Sequence, residues 1–313
     1  MGWTRPWAAA RAMLALVAGA AGVGAQQPVA LPPSHLAVRI NRTWVNWWQS
    51  AAPPAVWTHT DSLVTRDVNW HRGTSGIEYA EFELAGSGEA WRTRVVLVRI
   101  DPAALRFTLD TAFGTPFRGE WSVARTPAHA ALALNAGQFV DAMPWGWVVM
   151  RGHQFLPPGS GPLAVAVIGD SSGSIHWMPA DSAAIAPPPH TAWAFESYPE
   201  LLRNDTVPAP LRARQRGVDV GHRDARLALG RLRDGRLLIA LTRFDALGDA
   251  LGMVPFGLTV PEMAALMGAL GCRDAVLLDG GISAQLLVRD SAGIAHIWEG
   301  VRHVPLALIA FPH

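Results

Sequence analysis

The chain has 313 residues, half of them hydrophobic, with a formal net charge of +1 and no long run of one sign. That length supports one sizeable core, or one core plus an N-terminal extension. The charge balance leaves no electrostatic footprint for nucleic acid, and the absence of lysine excludes Schiff-base and P-loop lysines.

The chain opens MGWTRPWAAARAMLALVAGAAGVGAQQ. Arg5 and Arg11 precede an apolar run from Ala12 to Val23, and Val23-Gly24-Ala25 offers small residues for cleavage before Gln26. Residues 1–25 therefore have the pattern of a secretory signal peptide, too short for a membrane span. The alternative is an uncleaved N-terminal anchor. No other segment is long and apolar enough to span, so the mature protein is expected to be secreted or periplasmic, without stable membrane insertion. All-arginine basicity also suggests a GC-rich bacterial genome. Cys272 is the only cysteine, which rules out an internal disulfide.

Residues 26–75 form a Pro/Trp-rich extension broken at LPPSH and AAPP. Exposed tryptophans stack on sugar rings, but Trp44, Trp47, Trp48, Trp57 and Trp70 more simply pack this segment onto the main body. Residues 76–312 carry the signals of one mixed domain. A strand is expected over Thr93–Ile100, closed by Asp101-Pro102. SVARTPAHAALALNAGQF reads as a short helix leading into a strand that ends near Asn135. WGWVVMRGHQF and LAVAVIGDSSGSIHWM each read as strand, turn, strand. ARLALGRLRDGRLLIALTRF is a hairpin that turns at Asp234-Gly235. In LTVPEMAALMGALGC, Thr259 and Glu262 have capping-box spacing, Pro261 suits the first turn, and Gly271 supplies the stop. Met263, Leu266, Met267 and Leu270 share one helical face. The buried strand AVLL follows and delivers Asp279; AQLLVR then turns back through DSAG. The expected fold class is α+β, a mixed and largely antiparallel β-sheet with a few packed helices.

Four segments carry polar groups suited to chemistry. A buried strand ending in Asp279-Gly280-Gly281 can aim a carboxylate into a cleft, and its glycines permit close backbone approach. On spacing alone an Asp-Gly turn is the better reading, since Asp-Gly is a common turn dipeptide. LALNAGQFV runs into Asn135, Ala136 and Gly137; an amide there can hold a sugar hydroxyl or phosphate oxygen, or close an Asx turn. GHRDARLALG offers His222, Arg223, Asp224 and Arg226 ahead of a strand. Arginine suits phosphate oxygens and histidine titrates near neutrality, though most such runs are solvated loops. In AWAFESYPELL, Glu196 lies between aromatic residues, where burial would raise its pKa towards that of a general acid. A solvent-facing strand-edge glutamate is about as plausible a reading.

Taken in order, LNAGQF, ESYPELL, RLALG and GLTVPEMAALMGALGCRDAVLLDGGISA resemble the INGGFF-, QSYPxLL-, RTAIG- and GLTLxELAxLMxxLGAxxALNLDGGGSS-like motifs of the phosphodiester glycosidase family. The resemblance implies a hydrolase of a sugar-1-phosphodiester or a related glycan linkage, with no cofactor. Under it, Asp279 is the first candidate for the essential carboxylate, with Glu196 and His222 as weaker acid–base candidates. Arg226 is the expected phosphate contact. Asn135, Gly137, Arg223, Gly280, Gly281 and Ser283 complete the expected substrate-binding set. The sequence departs from the motifs at Ala136, Gln138, Glu196, Leu227, Ile282 and Ala284. Ile282 is expected to matter most, because a β-branched residue resists φ > 0 and close backbone approach. These departures motivate the alternative of a non-catalytic envelope glycan-binding protein. Asp279, Asp224 and His222 also offer oxygen and nitrogen donors to a metal, but no spacing resembles a dedicated site.

Overall fold

The computed structural model describes residues 30–111, 121–185, 188–214, 218–246 and 252–313. The expected signal peptide, 1–25, lies outside the described residues. The architecture is α+β, with largely antiparallel sheets and few helices.

The longest apolar runs build the centre. Strands Leu227–Leu232 and Leu237–Phe244 pair as the hairpin that the alternating run predicts, and Gly235 at its tip takes φ +89°. Thr93–Ile100 lies antiparallel to Leu237–Phe244 along its full length. Both faces of these strands are buried. Val96, Val98, Leu229 and Ile239 enter one core, and Val95, Leu97, Ala228 and Leu238 enter another. The two-residue period of a strand divides one continuous apolar run between two faces.

These strands sit in a nine-stranded sheet. Its order is Glu200–Leu202, Cys272–Leu277, Leu227–Leu232, Leu237–Phe244, Thr93–Ile100, Ile77–Gly86, Ser34–Ile40 and Thr43–Ser50, with His71–Arg72 also paired to Ile77–Gly86. The core that Val96, Val98, Leu229 and Ile239 enter is closed by two five-stranded sheets. One is centred on Thr191–Ser197, between Val148–Met150 and Val165–Asp170. The other is centred on Leu132–Asn135, between Leu286–Arg289 and Leu306–Pro312.

The core that Val95, Leu97, Ala228 and Leu238 enter is closed by the helix Val260–Ala269. Thr259 Oγ1 accepts from the Glu262 N–H at 3.3 Å, and Glu262 Oε2 accepts from the Thr259 N–H at 2.9 Å. This satisfies two N–H groups that a helix start leaves open. Gly271 ends the element at φ +94°. The helix is buried on every side rather than along one face, because the N-terminal segment covers it. A methyl group on Gly268 would lie 2.4 Å from the Trp57 ring. Trp48 is in this core, Trp47, Trp57 and Trp70 pack against it, and Trp44 is exposed.

One element differs from expectation. The helix expected before Asn135 is a single 3-10 turn, Val123–Arg125. Pro127 accounts for this, since proline disfavours helical geometry at the residue before it and cannot donate to a following turn.

Candidate active site

The strand Cys272–Leu277 ends at a loop whose backbone is fixed from both sides. The Leu278 N–H donates to the Leu227 carbonyl at 2.8 Å, and the Asp279 N–H donates to the Gly137 carbonyl at 3.0 Å. Asn135 Nδ2 donates to the Asp279 carbonyl at 2.8 Å, while Asn135 Oδ1 accepts from the Gln285 N–H at 3.0 Å. Both ends of this buried amide are therefore spent on the loop. Asn135 and Gly137 hold Asp279 in place and do not line the cavity beside it.

The glycines after Asp279 answer to a second segment. A methyl group on Gly280 would lie 2.5 Å from the Ala225 carbonyl oxygen. Gly281 takes φ +57°, and its N–H donates to that same oxygen at 2.7 Å. A methyl group on Gly281 would lie 2.8 Å from Asp224 Oδ2. These glycines let the Asp279 loop press directly on the Asp224–Arg226 segment, so that two distant acidic residues share one cavity. Ile282 does not disturb this. It is 42 % exposed, is not at positive φ, and its carbonyl accepts from Val301 and Arg302 N–H at 2.8 and 2.9 Å. The strain expected from a β-branched residue is absent because the left-handed position belongs to Gly281.

The cavity has a volume of about 550 Å³. Asp279, Gly280, Asp224, Arg226, His222 and Asp219 line one part, and Gln138, Phe139, Trp145 and Tyr198 line another. Burial pushes the Asp279 carboxyl up to about 6, against the Ser283 hydroxyl bond and Arg302, which lower it; Asp224 raises it further. Burial also raises Asp224, opposed by Arg226 and His222. Ser283 thus supports the Asp279 carboxyl from behind.

Arg226 lies along the cavity wall. Its Nε donates to the Leu258 carbonyl at 2.8 Å and its Nη2 to the His222 carbonyl at 2.6 Å. A guanidinium has five N–H donors, so part of its fork stays available to an anion. His222 is exposed, with Nε2 3.7 Å from Asp224 Oδ2.

Two candidates point elsewhere. Glu196 is buried outside the cavity lining, and its carboxylate accepts the Gly159 N–H at 2.9 and 3.1 Å. It fixes the loop behind Trp145 and has no access to Asp279's cavity. Its carboxyl is raised by burial, which the Gly159 and Trp147 N–H groups oppose. Arg223 makes a bidentate pair with Glu262 at 2.7 and 2.7 Å. It is spent on the helix start, not on a ligand.

Several residues carry more than their sequence signal suggested. Trp145 and Tyr198 meet edge-to-face at 6.2 Å between ring centroids, forming an aromatic wall. Arg302 stands 4.6 Å over the Phe139 ring. Its loop is held by Gln285 Nε2 on the Arg302 carbonyl and by the buried Arg243, which donates to the Ala284 and Glu299 carbonyls at 2.7 Å each. Asp224 was visible only as one charge among several. Its distinguishing mark is the glycine pair Gly257 and Gly281 packed on it, which becomes apparent only in three dimensions. Among the described residues, no group of three His, Cys, Asp or Glu is arranged to hold a metal ion.

The fold is shared with solved structures. The chain resembles the catalytic domain of zebrafish N-acetylglucosamine-1-phosphodiester alpha-N-acetylglucosaminidase, a structure auto-inhibited by its pro-peptide. The TM-score is 0.58 at 14 % identity, covering 83 % of this chain and 96 % of that one. A hypothetical protein from Synechocystis matches with TM-score 0.51 at 15 % identity, covering 85 % of this chain and 65 % of that one. No curated protein matches at a significant level. The sequence profile of the phosphodiester glycosidases matches residues 128–311. That single span takes in the Asn135 strand, the aromatic wall, the Asp224–Arg226 segment and the Asp279 loop: the chain belongs to the phosphodiester glycosidase family.

Proposed function

We propose that the protein hydrolyses a glycosyl phosphodiester, with Asp279 as an essential carboxyl group. The observation that carries this reading is the position of Asp279. It is a desolvated carboxyl with a pKa of about 6, in a cavity that also holds an aromatic wall and an arginine. Breaking a bond at an anomeric carbon builds oxocarbenium character, which carboxylates stabilise. An acid that titrates near neutral pH suits proton transfer in that step.

The remaining groups fit a sugar with an anionic arm. Trp145 and Tyr198 offer apolar ring surface to a pyranose, and Gln138, whose Nε2 donates to the Tyr198 carbonyl at 2.9 Å, holds that wall in place. A phosphodiester is already a good leaving group, so it needs cations more than a strong acid. Arg226 meets that need from the cavity wall and Arg302 from above Phe139. Asn135, Gly137, Gly280, Gly281 and Ser283 act by holding the loop rather than by gripping the sugar.

The protein acts outside the cytoplasm in this reading, supported by the signal-peptide pattern of residues 1–25. Among the described residues no helix is long and apolar enough to cross a membrane. Assay of the purified protein against a panel of sugar-1-phosphodiesters tests the proposal. Turnover abolished by Asp279→Asn supports it. Glycan binding without hydrolysis of any member would favour the non-catalytic alternative.

A further inference from the structure

We propose that Asp224 is the second catalytic carboxylate of this cavity, the one that takes the proton of the attacking water. The proposal rests on the glycosyl phosphodiester reading above and adds to it a residue and a stereochemical course.

The first support is the contrast with neighbouring acids. Asp219 Oδ1 accepts the Gly221 and His222 N–H groups at 3.0 and 3.1 Å. Glu262 is taken by Arg223 and Thr259, and Glu196 by Gly159. Each of these carboxylates is occupied by a structural task. Asp224 is held more loosely: its Oδ1 is buried with no hydrogen-bond partner, the Ala225 N–H is its backbone contact, and His222 Nε2 lies 3.7 Å from Oδ2. Leaving a buried acceptor unpaired costs stability. Such a cost is expected where a group is kept open for a ligand or for chemistry.

The second support is the packing that brings the two acids together. A methyl group on Gly281 would lie 2.8 and 2.9 Å from the two Asp224 carboxylate oxygens, and one on Gly257 would lie 2.5 Å from the Asp224 carbonyl oxygen. Any side chain at Gly281 would push Asp224 away from the loop that carries Asp279. Both carboxyl groups line the same cavity.

The third support is a division of environments. Burial raises the Asp224 carboxyl, and Arg226, His222 and the Ala225 N–H oppose that rise. Burial pushes Asp279 up to about 6, and Asp224 raises it further. Two acids in different surroundings are suited to opposite roles.

In the step, the bond between the anomeric carbon and the phosphate oxygen breaks, and its electron pair goes to that oxygen. The oxygen of a water molecule bonds to the anomeric carbon, and one water proton passes to Asp224. Asp279 gives its proton to the departing phosphate oxygen. Transfer of the proton from Asp224 back to Asp279 through solvent restores the site. The products are a free sugar and a phosphate monoester. A water activated from the face opposite the leaving group inverts the anomeric centre.

The test combines kinetics with a titration. Asp224→Asn, with its melting temperature checked against the parent, is assayed on whichever sugar-1-phosphodiester the parent hydrolyses. The expected result is a fall in kcat of at least about 100-fold with KM changed less than about threefold. The parent's first-formed sugar, followed by proton NMR, should be the inverted anomer. Turnover within threefold of the parent, or a retained anomer, overturns the assignment. In parallel, NMR titration of carbon-labelled aspartates follows Asp279 in both proteins. Its midpoint should fall in Asp224→Asn, because a neighbouring negative charge is gone; an unchanged midpoint overturns the carboxylate pair. If the parent hydrolyses no phosphodiester, the functional reading fails, and the titration alone then decides whether the two acids act on each other.

Discussion

Replacing Asp279 with asparagine is expected to stabilise the protein at neutral pH. Burial, as the main cause, pushes the carboxyl up to about 6 in the fold from 3.8 for an unperturbed aspartate. A folded-state pKa above the unfolded one means that the native state prefers the protonated acid. The stability this gives is fully present below pH 3.8 and is lost as pH rises through about 6. The shift is about two pH units, and each unit is worth about 1.36 kcal/mol, so the loss approaches about 3 kcal/mol above neutrality. Asparagine has no charge to desolvate and keeps an acceptor for the Ser283 hydroxyl. Urea unfolding of both proteins from pH 4 to pH 8 measures the difference. The variant should gain on the parent progressively between about pH 4 and pH 7 and then level off. A difference that does not vary with pH, or that favours the parent at pH 7.5, would refute the claim that Asp279 is held as a desolvated acid.

Two other substitutions separate structural from substrate-facing arginines. Arg223→Ala leaves the Glu262 carboxylate, 1 % exposed, without its bidentate partner. A loss of about 3–5 kcal/mol in chemical denaturation is expected, and a change of less than 1 kcal/mol would return Arg223 to the list of ligand contacts. Arg302→Ala leaves the core intact, since the side chain is exposed and rests on Phe139. It should raise KM for an anionic substrate about three- to tenfold at low salt and less at high salt, as screening removes the long-range part. Steady-state kinetics at two ionic strengths decides this, and an unchanged KM at low salt counts against Arg302 as an anion contact.

Much of the scaffold was legible in the sequence because it follows from local rules. The Asp234-Gly235 hairpin, the strand Thr93–Ile100 and the capped helix each carry their own signal in period, turn chemistry or cap. The segment before Asn135 reads as a helix and is a 3-10 turn at Val123, because Pro127 stops it. Burial of the capped helix on all sides was not legible, because the covering Trp57 lies about 200 residues away in the chain, and no period along the helix encodes it. The site divides in the same way. Asp279 at a strand end is a local feature. By sequence Glu196 was an acid among aromatic residues and Asp224 one charge among several, and their fates were set by partners from elsewhere. Gly159 took the first, and Gly281 left the second open. Ile282 shows the converse: one residue of offset from the positive-φ position makes a disfavoured side chain harmless.

The central claim is that Asp279 takes part in breaking a glycosyl phosphodiester bond. The most direct measurement is turnover of a sugar-1-phosphodiester panel by the parent and by Asp279→Asn, with product phosphate monoester followed by phosphorus NMR. The account predicts hydrolysis by the parent and a loss of at least about 100-fold in kcat for the variant, in a protein that is as stable or more so. Equal turnover by the two proteins would contradict it.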